Sequence, residues 1–227
     1  MRGVRDFDFK FHPRKLSDWQ WVTHNRHLFE TLSRTHLYVA IVSVLIGLAL
    51  ALPIGMLAVQ VRRTYGPILV FTTFVYALPS LAVFAFLLNY TGLSDWTLIL
   101  PLAFYALAIL VRSVTDGLNN VSEEMRIAAT AMGYRPLRRL LTVDLPAAIP
   151  VVIAGLRVAT VASISLVTVG SLIGIPGLGQ LFTEGLNNDF ITEIVTGLVL
   201  VAFWAILFDL LLVLIGWLLA PWARTST

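Results

Sequence analysis

The chain has 227 residues, 58% hydrophobic and 13% charged, with a mean hydropathy of +0.84 and a formal net charge of +3. Soluble domains carry about a quarter charged residues, so this composition excludes a soluble globular fold and points to a membrane protein. The chain has no cysteine, which excludes a disulfide framework and thiolate metal sites, and no basic–aromatic pattern for nucleic acid is visible.

The first residues, MRGVRDFDFKFHPRK, contain neither an apolar run nor a small-residue cleavage site, so no cleavable signal peptide is expected. Residues 1–35 read as a polar tail with seven basic and four acidic residues. Within it, HNRHLFETLSRTHLYVA has the pattern of an interfacial helix with Leu28, Phe29 and Leu32 toward lipid; a partly disordered tail is the alternative. Trp19 and Trp21 suit an interfacial belt. His12, His24, His27 and His36 precede the first span or open it, where a water-side role is commoner than catalysis.

A helix needs about 20 mostly apolar residues to cross a bilayer. Five stretches qualify within residues 36–220, the expected membrane domain: Leu37 to Val61, Pro67 to Leu88, the shorter Trp96 to Val111, Ala147 to Gly170, and Ile194 to Leu219. The expected fold is all-α, a polytopic bundle of five transmembrane helices with a short tail at 221–227. Pro79 should kink the second span. The absence of an internal repeat argues against an inverted-repeat transporter complete in one chain.

Orientation follows from basic residues in short loops. Arg62 and Arg63 lie in 62–66, five arginines lie in 112–146, and Arg224 follows the last span. The alternate loops, 89–95 and 171–193, have no Lys or Arg and contain Asp95, Glu184, Asp189 and Glu193. This places 112–146 and the C-terminus in the cytoplasm and the N-terminus outside. The basic tail pulls the other way, and the internal loops give the cleaner signal.

The longest cytoplasmic loop should contain a slim helix. Ser122 is a candidate N-cap, Glu123 and Glu124 suit its first turn, and Gly133 can end it in a left-handed cap. Ala128, Ala129 and Ala131 keep it narrow, and Pro136 can open a second helix. Pro146 should mark the entry to span four. A simple surface hairpin and a partner-docking helix both fit this pattern.

The spacing I-A-A-x3-G-x9-V-x-L-P, from Ile127 to Pro146, resembles the EAA loop of bacterial ABC importer permeases, E-A-A-x3-G-x9-I-x-L-P. Ala128, Ala129, Gly133, Leu145 and Pro146 match in register. Val143 is a mild change, and Ile127 stands where the family has glutamate, so that residue's salt bridge is not carried over. Glu123 and Glu124 lie one turn upstream. ALPSLAVFAFLL (77–88) and LPAAIPVVIAGLRVATVASISLVTVGSLIGIPGLGQLF (145–182) resemble the osmoprotectant branch, permeases for glycine betaine, carnitine, choline or proline. Methionine permeases share the size and the glycine-rich segment.

The resemblance covers roughly residues 36–220. It implies a subunit of an importer in the bacterial plasma membrane. Its partners would be a second permease, identical or homologous, cytoplasmic ATP-binding subunits and an extracytoplasmic binding protein. Coupling to the ATPase would fall to Glu124, Ile127, Ala128, Ala129, Met132, Gly133 and Arg135. The chain has no G-x-x-x-x-G-K-[ST] loop, so ATP and Mg would belong to the partner. No catalytic residue, metal site or cofactor is expected in this chain.

Arg157 and Asp209 are the charged residues inside the spans. They lie at similar depth and should face each other as an ion pair joining spans four and five. In GSLIGIPGLGQLF, Gly174, Pro176, Gly177 and Gly179 should break the helix and form a loop or re-entrant turn, either a flexible connection or, functionally, an external gate or a surface for the binding protein. Small residues along span four, among them Ala154, Gly155, Ala159 and Ser163, favour close helix packing, with a path-lining role second. Phe74, Tyr76, Phe84, Phe104 and Tyr105 could offer aromatic faces to a quaternary ammonium, although packing is the commoner use. The expected function is therefore an osmoprotectant permease moving its solute by alternating access. A methionine or other small-solute permease is the alternative, and a membrane scaffold without a path is the alternative of another class.

Overall fold

In lipid a helix satisfies its own backbone hydrogen bonds, so the charge-free runs fold as helices even where they contain proline. The structure, a computed structural model, describes residues 19–224. The tail at 1–18 with His12, the side chain of Trp19 and the last residues 225–227 lie outside the described residues. Ten α-helices follow in order: α1 Trp19–His24, α2 Arg26–Gln60, α3 Arg62–Ala77, α4 Ser80–Thr91, α5 Trp96–Asn119, α6 Glu123–Ala131, α7 Pro136–Arg139, α8 Leu145–Val167, α9 Gln180–Asn187 and α10 Ile191–Leu219.

Helix α5 is the centre of the bundle. Leu98, Ile99, Leu102, Leu110, Val111, Val114 and Leu118 are fully buried between α2, α3, α4 and α8. The neighbouring backbones come close because small residues face it. A methyl group at Gly47 of α2 would sit 2.8 Å from Ala106 Cβ, and one at Gly55 would sit 2.6 Å from Val114 Cγ1. On the other side Gly155 of α8 seats against Ser113. The small residues of α8 divide accordingly: Gly155, Ala159 and Ser163 are buried, and Ala154 is exposed. Helix α10 is the opposite case, apolar all round and almost uncovered.

Several expectations need correction. The segment from Arg26 is not a separate interfacial helix but the first turns of α2, 35 residues long. Phe29 and Leu32 face protein, packed with Leu178 and Leu181. Trp21 stacks edge-on against Phe29 and Phe190. The second span is not one kinked helix: α3 and α4 meet at 87° across Leu78 and Pro79. The carbonyl of Leu78 at this break accepts a hydrogen bond from Tyr105 Oη at 3.0 Å. The third helix runs two turns past Arg112. Pro146 lies in the first turn of α8, as expected, but the chain does not break before it, because a π-helical turn, Leu140–Asp144, joins α7 to α8. A 3-10 turn, Thr168–Ile173, extends the run, so residues Pro136–Ile173 form one helical rod of 38 residues.

His36 is fully buried and joins three elements. Its Nε2 lies 2.9 Å from the Ile164 carbonyl of α8, and its Nδ1 accepts from the Leu178 N–H at 3.3 Å. Both contacts are satisfied by the neutral ring protonated on Nε2. The histidine is a structural tie in the bundle, not the water-side residue that its position in the sequence suggested.

The expected ion pair is present. Arg157 Nε donates to Asp209 Oδ1 at 2.7 Å and Arg157 Nη2 to Oδ2 at 2.9 Å, a bidentate contact between α8 and α10. Both side chains remain partly exposed on the helix surface. Trp204 Nε1 adds a second tie from α10, donating to Ser33 Oγ on α2 at 3.2 Å.

Two stability predictions follow from this packing. Gly47→Val and Gly55→Val should each destabilise the detergent-solubilised protein by about 1–3 kcal/mol, because extra methyls force backbones apart. Gly66→Ala, which meets nothing within 4 Å, is the control, and the thermal midpoint is the readout. Equal midpoints for all three would refute the close-approach account. For the ion pair, Arg157→Met or Asp209→Leu alone leaves one charge unneutralised among apolar side chains and should lower the midpoint. The double variant should lie nearer to wild type than either single one; an additive double loss would show that the pair is not coupled.

Candidate functional site

Two surfaces stand out, one at the α6 end of the bundle and one between the helices. Helix α6 begins where the sequence predicts. Ser122 Oγ accepts from the Met125 N–H at 3.4 Å, and Glu123 and Glu124 sit in the first turn, where the helix dipole favours anions. It ends in a left-handed turn: Gly133 has φ +83°, and the Tyr134 N–H donates to the Ala129 carbonyl at 3.2 Å.

One side of α6 holds it to the bundle. Ala129 is 1% exposed. Arg126 Nη2 donates to the Leu118 carbonyl at 2.7 Å, satisfying an acceptor in the last turn of α5. The other side is free and mostly apolar, with Met125, Ile127, Ala128 and Met132 exposed. Leu137 on α7 and Leu141 in the following turn are exposed too. A patch of this kind at a loop tip marks an interaction surface.

The arginines of this loop divide in role. Arg138 lies over the Tyr134 ring at 4.9 Å. Arg139 pairs with buried Asp144, Nε to Oδ2 3.5 Å, and its Nη1 donates to Thr130 Oγ1 at 3.3 Å. Both are engaged within the hairpin. Glu124 and Arg135 are exposed, and neither side chain has a hydrogen bond or ion pair among the described residues.

The second surface is a cavity of about 780 Å³ between α3, α5 and α8, lined among others by Thr73, Phe74, Tyr76, Arg112, Asp116 and Val158. Arg112 and Asp116 lie one turn apart on α5, and both are exposed. Neither side chain makes a hydrogen bond or an ion pair among the described residues. Sequence reasoning treated Arg112 as the end of span three and passed over Asp116. The readable signal was an Arg and an Asp four residues apart beside a span. Of the five aromatics, Phe74 and Tyr76 reach the cavity, Phe84 and Tyr105 are core, and Phe104 is exposed.

At the opposite end, the glycine-rich segment is packed down, not loose. Gly174 is left-handed, with φ +82°. Ile175, Gly177, Leu178 and Gly179 are buried, while Pro176 is exposed. The Gly179 backbone lies against the Thr168 carbonyl so closely that no side chain would fit. Pro79 lies at the helix break on the exposed side of the bundle. Arg157 and Asp209 stand apart from both surfaces as the α8–α10 tie.

The family described as "Binding-protein-dependent transport system inner membrane component" matches residues 43–225. The glycine betaine/carnitine/choline transport system permease protein OpuCB of Bacillus subtilis (strain 168) is 31% identical over 78% of this chain and 82% of its own length. The permease protein OpuCD of the same system and strain is 32% identical over 81% and 79%. Among solved structures, the inward-facing MetNI methionine ABC transporter superposes with a TM-score of 0.75 at 21% identity, covering 86% of this chain and 97% of that one. An amino acid ABC transporter crystallised with histidines gives 0.73 at 18%, covering 89% and 99%. These likenesses show the shared fold of ABC importer permeases. The chain belongs to the family of binding-protein-dependent transport system inner membrane components, as a multi-pass protein of the inner membrane.

Proposed function

We propose that this chain is the membrane permease of an ATP-driven importer for osmoprotectants of the glycine betaine, carnitine and choline class. The observation that carries this reading is the run of relatives named for those solutes, at 31%, 30% and 32% identity over about four fifths of the chain. The methionine transporter and the amino acid transporter share the fold at 21% and 18% identity and say nothing of the solute.

The α6–α7 hairpin is the seat for an ATP-binding subunit. Its outward side is apolar, with Ile127 at 60% and Met132 at 69% exposure, so the contact rests on apolar burial and does without the family's glutamate. A second permease faces this one, and an external binding protein meets the end that carries α9. The α6 end lies in the cytoplasm, a reading supported by the arginines of residues 112–146. Helix α1 and the start of α2 lie at the α9 end, packed with Phe190, Leu178 and Leu181, which fits an odd number of crossings and an N-terminus outside. Nucleotide hydrolysis belongs to the partner, and this subunit supplies the path.

Transport is checked in proteoliposomes containing the assembled complex and its binding protein. Labelled glycine betaine, carnitine and choline should accumulate with ATP inside, and methionine should not. Accumulation of methionine alone would overturn the solute assignment, and ATP-independent behaviour with every solute would overturn the importer. Docking is checked separately. Ala128→Arg places a charge in the centre of the exposed face and should lower co-purification of the ATP-binding subunit at least ten-fold, about 1.4 kcal/mol. The permease itself should stay monodisperse, because position 128 is exposed. Unchanged co-purification would remove the hairpin from the interface.

A further inference from the structure

We infer that the cavity between α3, α5 and α8 is a transit site for a zwitterionic solute, with Arg112 holding its carboxylate and Asp116 its onium group. This rests on the transport reading above and deepens it, since it separates zwitterions from simple cations.

The argument begins with two charges left open. Arg112 and Asp116 have opposite sign, both line the same cavity, and neither side chain is paired among the described residues. Residues four apart on a helix have Cβ atoms about 5–6 Å apart, close enough to pair. Their order, cation before anion, is the less favourable one for direct pairing across a helical turn. Both are exposed, and no neighbouring side chain neutralises either, so both are open to a ligand. A solute carrying both charges can satisfy the two at once.

The chemistry fits one class of solute. A guanidinium presents parallel N–H donors that match a carboxylate. A quaternary ammonium has no N–H to donate, so it is held by charge and by aromatic faces. Asp116 supplies the charge, and Phe74 and Tyr76, 62% and 52% exposed, line the same cavity. Thr73 adds a hydroxyl to the wall. A volume of about 780 Å³ exceeds a single small zwitterion, so the solute shares the site with water and is held weakly, as a path requires. Arg112 and Asp116 lie in the last two turns of α5, toward the α6 end, so the site lies late on an inward route.

The test uses the permease assembled with its ATP-binding subunits and without the binding protein, so that solute binding reports on the membrane domain. Binding of labelled glycine betaine and choline is measured by scintillation proximity at millimolar concentrations. Arg112→Gln should weaken betaine at least ten-fold and choline less than three-fold, because choline has no carboxylate. Asp116→Asn should weaken both, and Arg112→Lys, which keeps the charge, should fall between Arg112→Gln and wild type. Betaine binding within two-fold of wild type in both neutral variants overturns the site, as does equal loss of betaine and choline in Arg112→Gln. A second measurement covers variants that fail to assemble. The chain lacks cysteine, so Thr73→Cys gives a single reporter. Betaine should slow its maleimide labelling at least three-fold, and sucrose should not; equal rates overturn the site. If wild-type vesicles import betaine while these readouts are flat, the site falls and the transport reading stands. If wild-type vesicles import no onium solute, both fall.

Discussion

The close seating of α5 is the constraint on which the rest depends. Between helices in lipid there is little hydrophobic drive, and association rests on van der Waals contact and on backbones that can approach. Gly47, Gly55 and Gly155 permit that approach from two sides, and α5 fills the space between. The cavity wall, the helix break and the hairpin are then all indexed to one helix. Its outward groups, Arg112 and Asp116, face the cavity; its ring at Tyr105 holds the broken backbone at Leu78; its last turn accepts Arg126 and so seats α6. A shift of α5 would move the cavity wall and the hairpin together.

The hairpin shows how a departure from a family pattern can be absorbed. An ionic contact at position 127 would demand an opposite charge and good geometry on the partner. An exposed isoleucine demands only an apolar recess, and Met125 and Met132 beside it are flexible enough to fill one. Two of the basic residues, Arg138 and Arg139, are engaged within the hairpin, by Tyr134 and by Thr130 and Asp144. The surface that remains is oily and narrow, with Glu124 and Arg135 near its edges.

Local features were legible in the sequence. The spans, the cap at Ser122 and the turn at Gly133 depend on residues within one or two turns of each other. The Arg157–Asp209 pair was legible because charges inside apolar spans are rare and depth can be counted along a helix. What failed depended on contacts far along the chain. Phe29 and Leu32 read as lipid-facing because nothing local reveals Leu178 and Leu181 as their neighbours. His36 looked like a water-side residue because its partners are 128 and 142 positions away. The break at Pro79 looked like a kink because the Tyr105 hydroxyl, which stabilises the open carbonyl, is 27 residues on. The cavity was invisible for the same reason, since its walls come from three helices.

The unbroken run Pro136–Ile173 has a mechanical consequence. At about 1.5 Å per residue it is a rod of roughly 57 Å, reaching from the hairpin to the glycine-rich segment. It is held at several depths: Gly117 lies against Ala148 toward the hairpin, Gly155 rests on Ser113 and Arg157 grips Asp209 near the middle, and His36 meets the Ile164 carbonyl toward the far end. A push on the hairpin is therefore not spent in bending one loop. It is carried by a stiff element whose every third of length is braced on a neighbouring helix, so the hairpin and the glycine-rich segment are mechanically continuous through the bundle.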